Sequence, residues 1–356
     1  MLQTKKYAFI AHYVEPWNWL LNHKAFAFLH KQSGFPFFLF PLYPICLLVS
    51  IFFLFRKESF KVVDSFRVND RVYGYTILIN NFGWHFLLKN RHEQIRQRIL
   101  AATLFAQNEL GVDVVGLGAL TKDESLTQGG KWLYMQSGVN IPIIHGDTCT
   151  AWFVIKRLEE LYLEHGARKP IAMIGPTSKI GRAVILHLAK KGFVFKAYTN
   201  SRERFVEIQK ELPFEFQANV IHVTQLHDMQ DCRVWVTGKN KPRANGLISF
   251  IPHGAAVLNF SVPDPLSEGV LRSRKDLCHV DGGLVLIPDT CDMSYMMRLK
   301  PFVTYACSGG TMAHAHQGWA NSEVGNVQMN ALESIGHDCE QMGLKLAPRS
   351  SHLKKI

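Results

Sequence analysis

The chain has 356 residues, 47% of them hydrophobic and 19% charged, which is ample for about two domains and a large buried core and argues against disorder. The net charge of +11 is spread along the chain, without dense Lys/Arg runs interleaved with aromatics. That pattern argues against nucleic acid and suits an anionic small molecule or a membrane surface. Seven cysteines, an odd number with no C-x-x-C and no zinc-type spacing, point to a reducing, cytosol-facing compartment, and no metal site is expected.

The first distinctive segment is residues 35–55, FPFFLFPLYPICLLVSIFFLF, which carries no charge and is long enough for a helix to cross a bilayer. It starts too late for a secretory signal. Pro36, Pro41 and Pro44 each remove a backbone donor, so only Ile45–Phe55 is free of proline. A kinked transmembrane helix and a re-entrant or interfacial anchor are both expected readings, and a buried core helix is the soluble alternative. Trp17, Trp19, Phe26 and Phe28 upstream suit an interface. Lys24, Lys31, Arg56 and Lys57 flank the run on both sides, so charge sets no orientation. Residues 1–65 are expected to anchor the chain to a membrane, with the rest facing the cytosol.

From about residue 66 the pattern is α/β. Ile95, Ile99, Ala102, Ala106 and Leu110 recur at helical spacing over 91–110, and Gly111 suits a C-cap. VDVVGLGAL reads as a buried strand. A helix is expected over about 150–165, with Asp147 and Thr148 as cap candidates. Beyond Lys169 strands and helices alternate: strand 170–175, helix 179–191, strand 193–199, helix 201–212, then strands at 218–224, 232–238, 255–261 and 284–288. That alternation predicts a Rossmann-like, doubly wound parallel sheet. An amphipathic helix is expected over 326–342. The resulting division is an N-terminal α/β part at 66–168, a dinucleotide-binding domain at 169–290 and a helical C-terminal part at 291–356.

The first strand of the alternating region runs into Gly175-Pro176-Thr177-Ser178-Lys179-Ile180-Gly181 and then a helix. Gly175 suits a tight turn, Gly181 lets helix and strand approach, and the helix start offers amides to an anion. Ser178 stands where such loops often keep a glycine. Lys179 and Arg182 in the first turn oppose the helix dipole, a penalty that a bound pyrophosphate reverses. The second strand ends in Thr199-Asn200-Ser201-Arg202, where NAD-binding folds carry an acidic residue. Ser201 and Arg202 instead suit the 2′-phosphate of NADPH. Thr237 and Gly238, after the 232–238 strand, are expected along the cofactor.

Residues 304–319, TYACSGGTMAHAHQGW, hold the nucleophile candidate. Cys307 is followed by Ser308, Gly309 and Gly310, small enough to admit a bulky acyl thioester. A thiolate accepts an acyl group by thioester exchange, and a nicotinamide then supplies hydride. His314 is the general-base candidate. His314 and His316 sit two apart and do not share a helix face, which argues against a joint metal site. His145, Thr148 and Thr150, in the IIHGDTCTA segment, are further substrate-site candidates.

HGDTCTAWFVI, GPTSKIGRAVILHLAKKGF, SRERFVEIQKELPFEFQ, CRVWVTGK and ACSGGTMAHAHQGW resemble, in order and spacing, the C-terminal half of the plant eceriferum wax-biosynthesis proteins. The resemblance covers nearly the whole chain, without the histidine-rich, multi-span hydroxylase-like domain that precedes this half in those proteins. A more distant likeness is to cyanobacterial long-chain acyl-carrier-protein reductases, through the GxTxxIG turn, the Gly146–Trp152 segment and the Ala306-Cys307 to Gly318-Trp319 segment. Cys149 departs from that pattern, where those enzymes have a histidine. The likeness implies Cys307 as the acyl acceptor, NADPH as the cofactor and a three-part soluble fold. The expected function is therefore NADPH-dependent reduction of long-chain acyl-CoA or acyl-carrier thioesters to fatty aldehydes, with an acyl carrier protein or an aldehyde-deformylating enzyme as further partner. The alternative is a non-catalytic helper that binds acyl chain or cofactor for an alkane-forming, aldehyde-processing partner.

Overall fold

The computed structural model describes residues 4–22, 26, 42–166, 168–238, 244–261, 264–295 and 299–355. The chain forms two compact units. The first is Met1–Gly146 with Leu286–Asn326 and His337–Lys345; the second is Asp147–Val285 with Val327–Gly336 and Leu346–Ile356.

The first unit is built on β1 (Lys5–Tyr13), β2 (Phe60–Asn69), β3 (Val72–Phe82), β4 (Val114–Leu117) and β5 (Ile143–Ile144). They lie in the order β2-β3-β1-β4-β5, with only β2 and β3 antiparallel. Residues expected only to anchor the chain thus include β1, the middle strand of this sheet. The β2–β3 hairpin turns at Asn69, whose Oδ1 accepts from the Arg71 amide at 2.9 Å. The expected 91–110 helix is His92–Asn108; its buried stripe of Ile95, Ile99, Ala102 and Ala106 packs with Ile10, Ile77 and Ile79.

Of the 35–55 run, residues 35–41, with Pro36 and Pro41, lie outside the described residues, as do Lys24, Lys31 and Phe28. The rest is the 11-residue helix Tyr43–Phe53, with Pro44 in its first turn where a missing amide costs little. Among the described residues no helix is long and apolar enough to cross a membrane. Cys46, Ser50 and Phe53 face inward. The Ser50 hydroxyl accepts from Trp84 Nε1 at 3.1 Å, and its carbonyl lies 3.1 Å from His85 Nε2. The buried Arg98 guanidinium gathers the Phe53, Arg56 and Asn80 carbonyls at 3.1, 3.0 and 2.6 Å. The bonds to Phe53 and Arg56 serve carbonyls at and just past the helix end, and the bond to Asn80 ties them to β3.

The second unit carries β6 (Ile171–Ile174), β7 (Phe195–Tyr198), β8 (Val220–Val223), β9 (Val234–Thr237), β10 (Ala256–Asn259) and β11 (Cys278–Asp281). Every neighbouring pair is parallel, in the order β11-β10-β9-β6-β7-β8. In chain order this is the 3-2-1-4-5-6 arrangement of a dinucleotide-binding sheet. The expected parallel α/β fold is present, with β11 added beyond the strands read from sequence. Helices Lys179–Lys190 and Arg202–Lys210 make the first two crossovers. Asp147–His165 starts three residues before the expected 150, so Asp147 and Thr148 lie inside its first turn. The expected 326–342 helix is shorter, Leu332–Gln341.

Two buried histidines make the first unit acid-sensitive. The His12 ring accepts the Leu120 amide on Nε2 at 3.3 Å and has Nδ1 2.8 Å from the Tyr13 carbonyl. His85 accepts the Phe82 amide on Nδ1 at 3.3 Å. Each needs one unprotonated nitrogen, and burial pushes each down to about 4. The unfolded chain binds these protons first, so stability is full above about pH 6.5 and falls as pH drops toward 4. Denaturant unfolding should show the first unit losing about 2 kcal/mol per histidine between pH 7.5 and pH 5. His12→Gln should flatten part of that slope, and equal stability at the two pH values would contradict the assignment.

Candidate functional site

The glycine turn sits where the second unit's strand order reverses, between β6 and β9. In open parallel sheets that reversal opens a crevice at the strand C-termini. Gly175 has φ +82, a left-handed conformation that favours glycine. Ser178 closes the turn: its Oγ donates to the Gly175 carbonyl at 2.9 Å and accepts from the Gly181 amide at 3.1 Å. A Cβ on Gly181 would stand 2.5 Å from the Gly175 carbonyl oxygen, so the glycine is required for helix and strand to approach. The serine in place of a middle glycine is thus the helix N-cap. Thr177, Lys179 and Ile180 lie half-buried along the turn.

Arg182 does not wait for an anion. Its Nε donates to Glu211 Oε1 at 2.7 Å and its Nη2 pairs with Oε2 of the same carboxylate. The cation at the turn that sequence reasoning missed is Arg204, whose guanidinium donates to the Thr177 carbonyl at 2.8 Å. It comes from the helix after β7, where Ser201 is the N-cap and accepts from the Arg204 amide at 3.4 Å. Asn200 and Arg202 are exposed beside it. At the end of β9 the buried Thr237 hydroxyl donates to Asn259 Oδ1 at 2.9 Å. Phe260 covers Gly238 so closely that a Cβ there would stand 2.2 Å from its ring. Thr148 and Thr150 are buried in the first turn of Asp147–His165, in this same unit.

Cys307, His314, Gly309, Gly310 and His145 belong to the first unit. The ACSGGTMAHAHQ segment forms the helix Ala306–Gln317 despite its paired glycines, which are poor helix formers. Its small residues let it press on the sheet: a Cβ on Gly116 of β4 would stand 2.0 Å from Thr311 Oγ1. Gly146, at φ +66, lies against the Cys307 backbone, where a Cβ would meet its carbonyl oxygen at 2.3 Å. Cys307 is half-buried, while Gly309 and Gly310 are buried.

His314 does not pair with Cys307. Seven residues along one helix put their backbones about 10 Å apart. Instead His314 Nδ1 lies 3.0 Å from the Gly310 carbonyl and Nε2 lies 3.9 Å from Glu323 Oε2. Burial pushes its imidazole down, against the opposing pull of Glu323. The fully buried His145 places Nδ1 2.9 Å from Glu323 Oε1 and Nε2 3.4 Å from the Asn326 carbonyl. Glu323 is held through its backbone, which bonds Ile143 and His145 at 2.9 Å each. Two histidines around one buried carboxylate make a polar cluster within the core. Sequence spacing gave no sign of Glu323, which is 178 residues beyond His145.

Residues 171–345 match the family described as CER1-like, C-terminal domain. Around it, 355 residues align at 28% identity with a protein named very-long-chain aldehyde decarbonylase GL1-1 from Oryza sativa subsp. indica, covering 96% of this chain and 54% of the relative. Rice GL1-2, named for the same activity, aligns at 27% identity over 96% of this chain and 52% of its own length. Protein CER1-like 1 of Arabidopsis thaliana aligns at 25% identity over 70% of this chain and 37% of its own. The chain therefore spans about half the length of the curated relatives it matches. Among solved structures, L-tryptophan dehydrogenase from Nostoc punctiforme aligns over 96% of this chain and 80% of its own, at TM-score 0.41 and 10% identity.

These relatives bear out the resemblance to the plant eceriferum proteins and give no support to the cyanobacterial one. They also correct the expected activity. The rice relatives are named for a reaction of aldehydes, not for making aldehydes from acyl thioesters. The expected thioester-reductase activity is overturned by those names.

Proposed function

We propose that this chain is a non-catalytic helper in very-long-chain aldehyde processing, binding a nicotinamide dinucleotide for an alkane-forming partner. The observation that carries the reading is the Gly175–Gly181 turn at the strand-order reversal, closed by the Ser178 cap. A helix start at that point offers amides to a pyrophosphate. The names of the rice relatives support the aldehyde pathway. Ser201 is used as a cap, and the exposed Arg202 beside it supports the 2′-phosphate of NADPH over NAD. The test is reconstitution of the full chain with the N-terminal half of rice GL1-1, supplied with a very-long-chain aldehyde and NADPH. Alkane should form only with both chains, and Gly181→Val should lower its rate at least tenfold. Alkane formed by this chain alone, or by the other half equally well without it, would overturn the helper reading.

A membrane surface belongs to the same proposal, since long-chain aldehydes partition into lipid. The Tyr43–Phe53 helix and its end display Ile45, Leu48, Phe52 and Phe55 at 54%, 66%, 64% and 66% exposure. Arg56 and Arg91 sit over the Phe53 and Phe55 rings at 5.0 and 5.4 Å, placing cations beside that apolar face. Such a face suits insertion among headgroups of an anionic leaflet. Replacing Leu48 and Phe52 by Asp should cut cosedimentation with anionic phospholipid vesicles at least tenfold. Unchanged cosedimentation would remove this face from the proposal.

A further inference from the structure

In the second unit, away from the glycine turn, three side chains converge on one point. Asp264 Oδ2, His279 Nε2 and His352 Nε2 all lie within 4.8 Å of one another. The carboxylate oxygen is 3.0 Å from His279 Nε2 and 3.9 Å from His352 Nε2. Among the described residues none of the three atoms has a hydrogen-bond partner, and each is shielded from solvent. His279 as a residue is only 4% exposed. A plain Asp264–His279 ion pair leaves His352 Nε2 buried and unbonded, so it does not account for the arrangement.

We propose that Asp264, His279 and His352 bind one divalent transition-metal ion, with zinc as the foremost candidate. His279 has the orientation of a ligand: Nδ1 is engaged by Ser351 Oγ at 2.8 Å, which leaves Nε2 to point at the ion. The His279 and His352 rings stack at 5.2 Å with planes 13° apart, so both present Nε2 to the same point. Tetrahedral ligands about 2.1 Å from zinc stand about 3.4 Å from each other, which the two observed separations bracket. Two imidazoles and a carboxylate suit zinc, iron(II) or cobalt(II), and suit magnesium or calcium poorly. Three protein ligands leave a fourth position for water.

The fold delivers the ligands from distant parts of the chain. Asp264 follows β10, His279 lies on β11, and His352 turns the hairpin between Ser350–Ser351 and Lys354–Lys355. Asp281, also on β11, holds that hairpin. It accepts from the Ser350 hydroxyl at 2.7 Å and from the His352 and Leu353 amides at 3.1 and 2.7 Å. An ion here would pin the terminal hairpin to the sheet edge. Sequence spacing could not show the site, because His352 is 73 residues beyond His279.

The test uses the purified full chain, stripped with chelator and titrated with Co²⁺ and then Zn²⁺. One equivalent of Co²⁺ should bind with the ligand-field absorption of a low-coordinate nitrogen–oxygen site, and Zn²⁺ should displace it. Asp264→Asn and His352→Ala should each weaken binding more than about a hundredfold, with far-UV circular dichroism unchanged. Ser351→Ala, which leaves all three ligands in place, should weaken it by about 10–100-fold. Absence of saturable binding by the wild-type chain, or binding unaffected by Asp264→Asn and His352→Ala, would overturn the proposal.

Discussion

The Ser178 hydroxyl holds together the turn at the second unit's strand-order reversal. It donates back to the Gly175 carbonyl and accepts from the Gly181 amide, fixing strand end, turn and helix start together. No side chain fits at Gly181, because the Gly175 carbonyl occupies the space. With that turn set at the β6/β9 reversal, the parallel order on either side follows from short, right-handed crossovers. Arg204 then ties the second crossover helix to the turn through the Thr177 carbonyl. The cation expected to await a phosphate, Arg182, is already matched by Glu211. The anion-binding capacity of the turn therefore rests on backbone amides rather than on a cluster of side-chain charges.

The first unit is organised by buried polar groups of a different kind. Arg98 collects carbonyls at the end of the Tyr43–Phe53 helix, and Glu323 is flanked by His145 and His314. Burying these groups is costly unless every partner is present, so they fix which segments meet. The Cys307 helix is positioned by the same logic of close approach, through glycines at 116 and 146. On that helix His314 is turned to Glu323 and the Gly310 carbonyl.

Much of the second unit was legible in the sequence because its strands are short, apolar and punctuated by turn residues at a regular interval. The helix Lys179–Lys190 ends within one residue of its expected end. In the sequence Ser178 reads only as a departure from a glycine pattern, since a cap and a turn residue are alike in local pattern. In the first unit, β1 was overshadowed by the apolar run that follows it. The β2–β3 hairpin carried a signal that was passed over: the Asn69-Asp70 pair between runs rich in β-branched and aromatic residues. Glu323, Arg204 and the Asp264–His279–His352 cluster depend on tertiary proximity, which local pattern does not encode. The activity was misread for a related reason. A cysteine among small residues is compatible with acyl transfer, but it is equally what a helix needs to lie flat on a sheet.

The measurement that tests the central claim most directly is hydrogen–deuterium exchange of the full chain with and without NADPH, read over residues 175–182 and 199–204. Dinucleotide held by the turn predicts slowed exchange at Thr177–Gly181 and at the Ser201–Arg204 helix start, at NADPH concentrations that leave the first unit unchanged. Identical exchange in both segments at saturating NADPH and NADH would contradict the assignment of the Gly175–Gly181 turn as a nucleotide site.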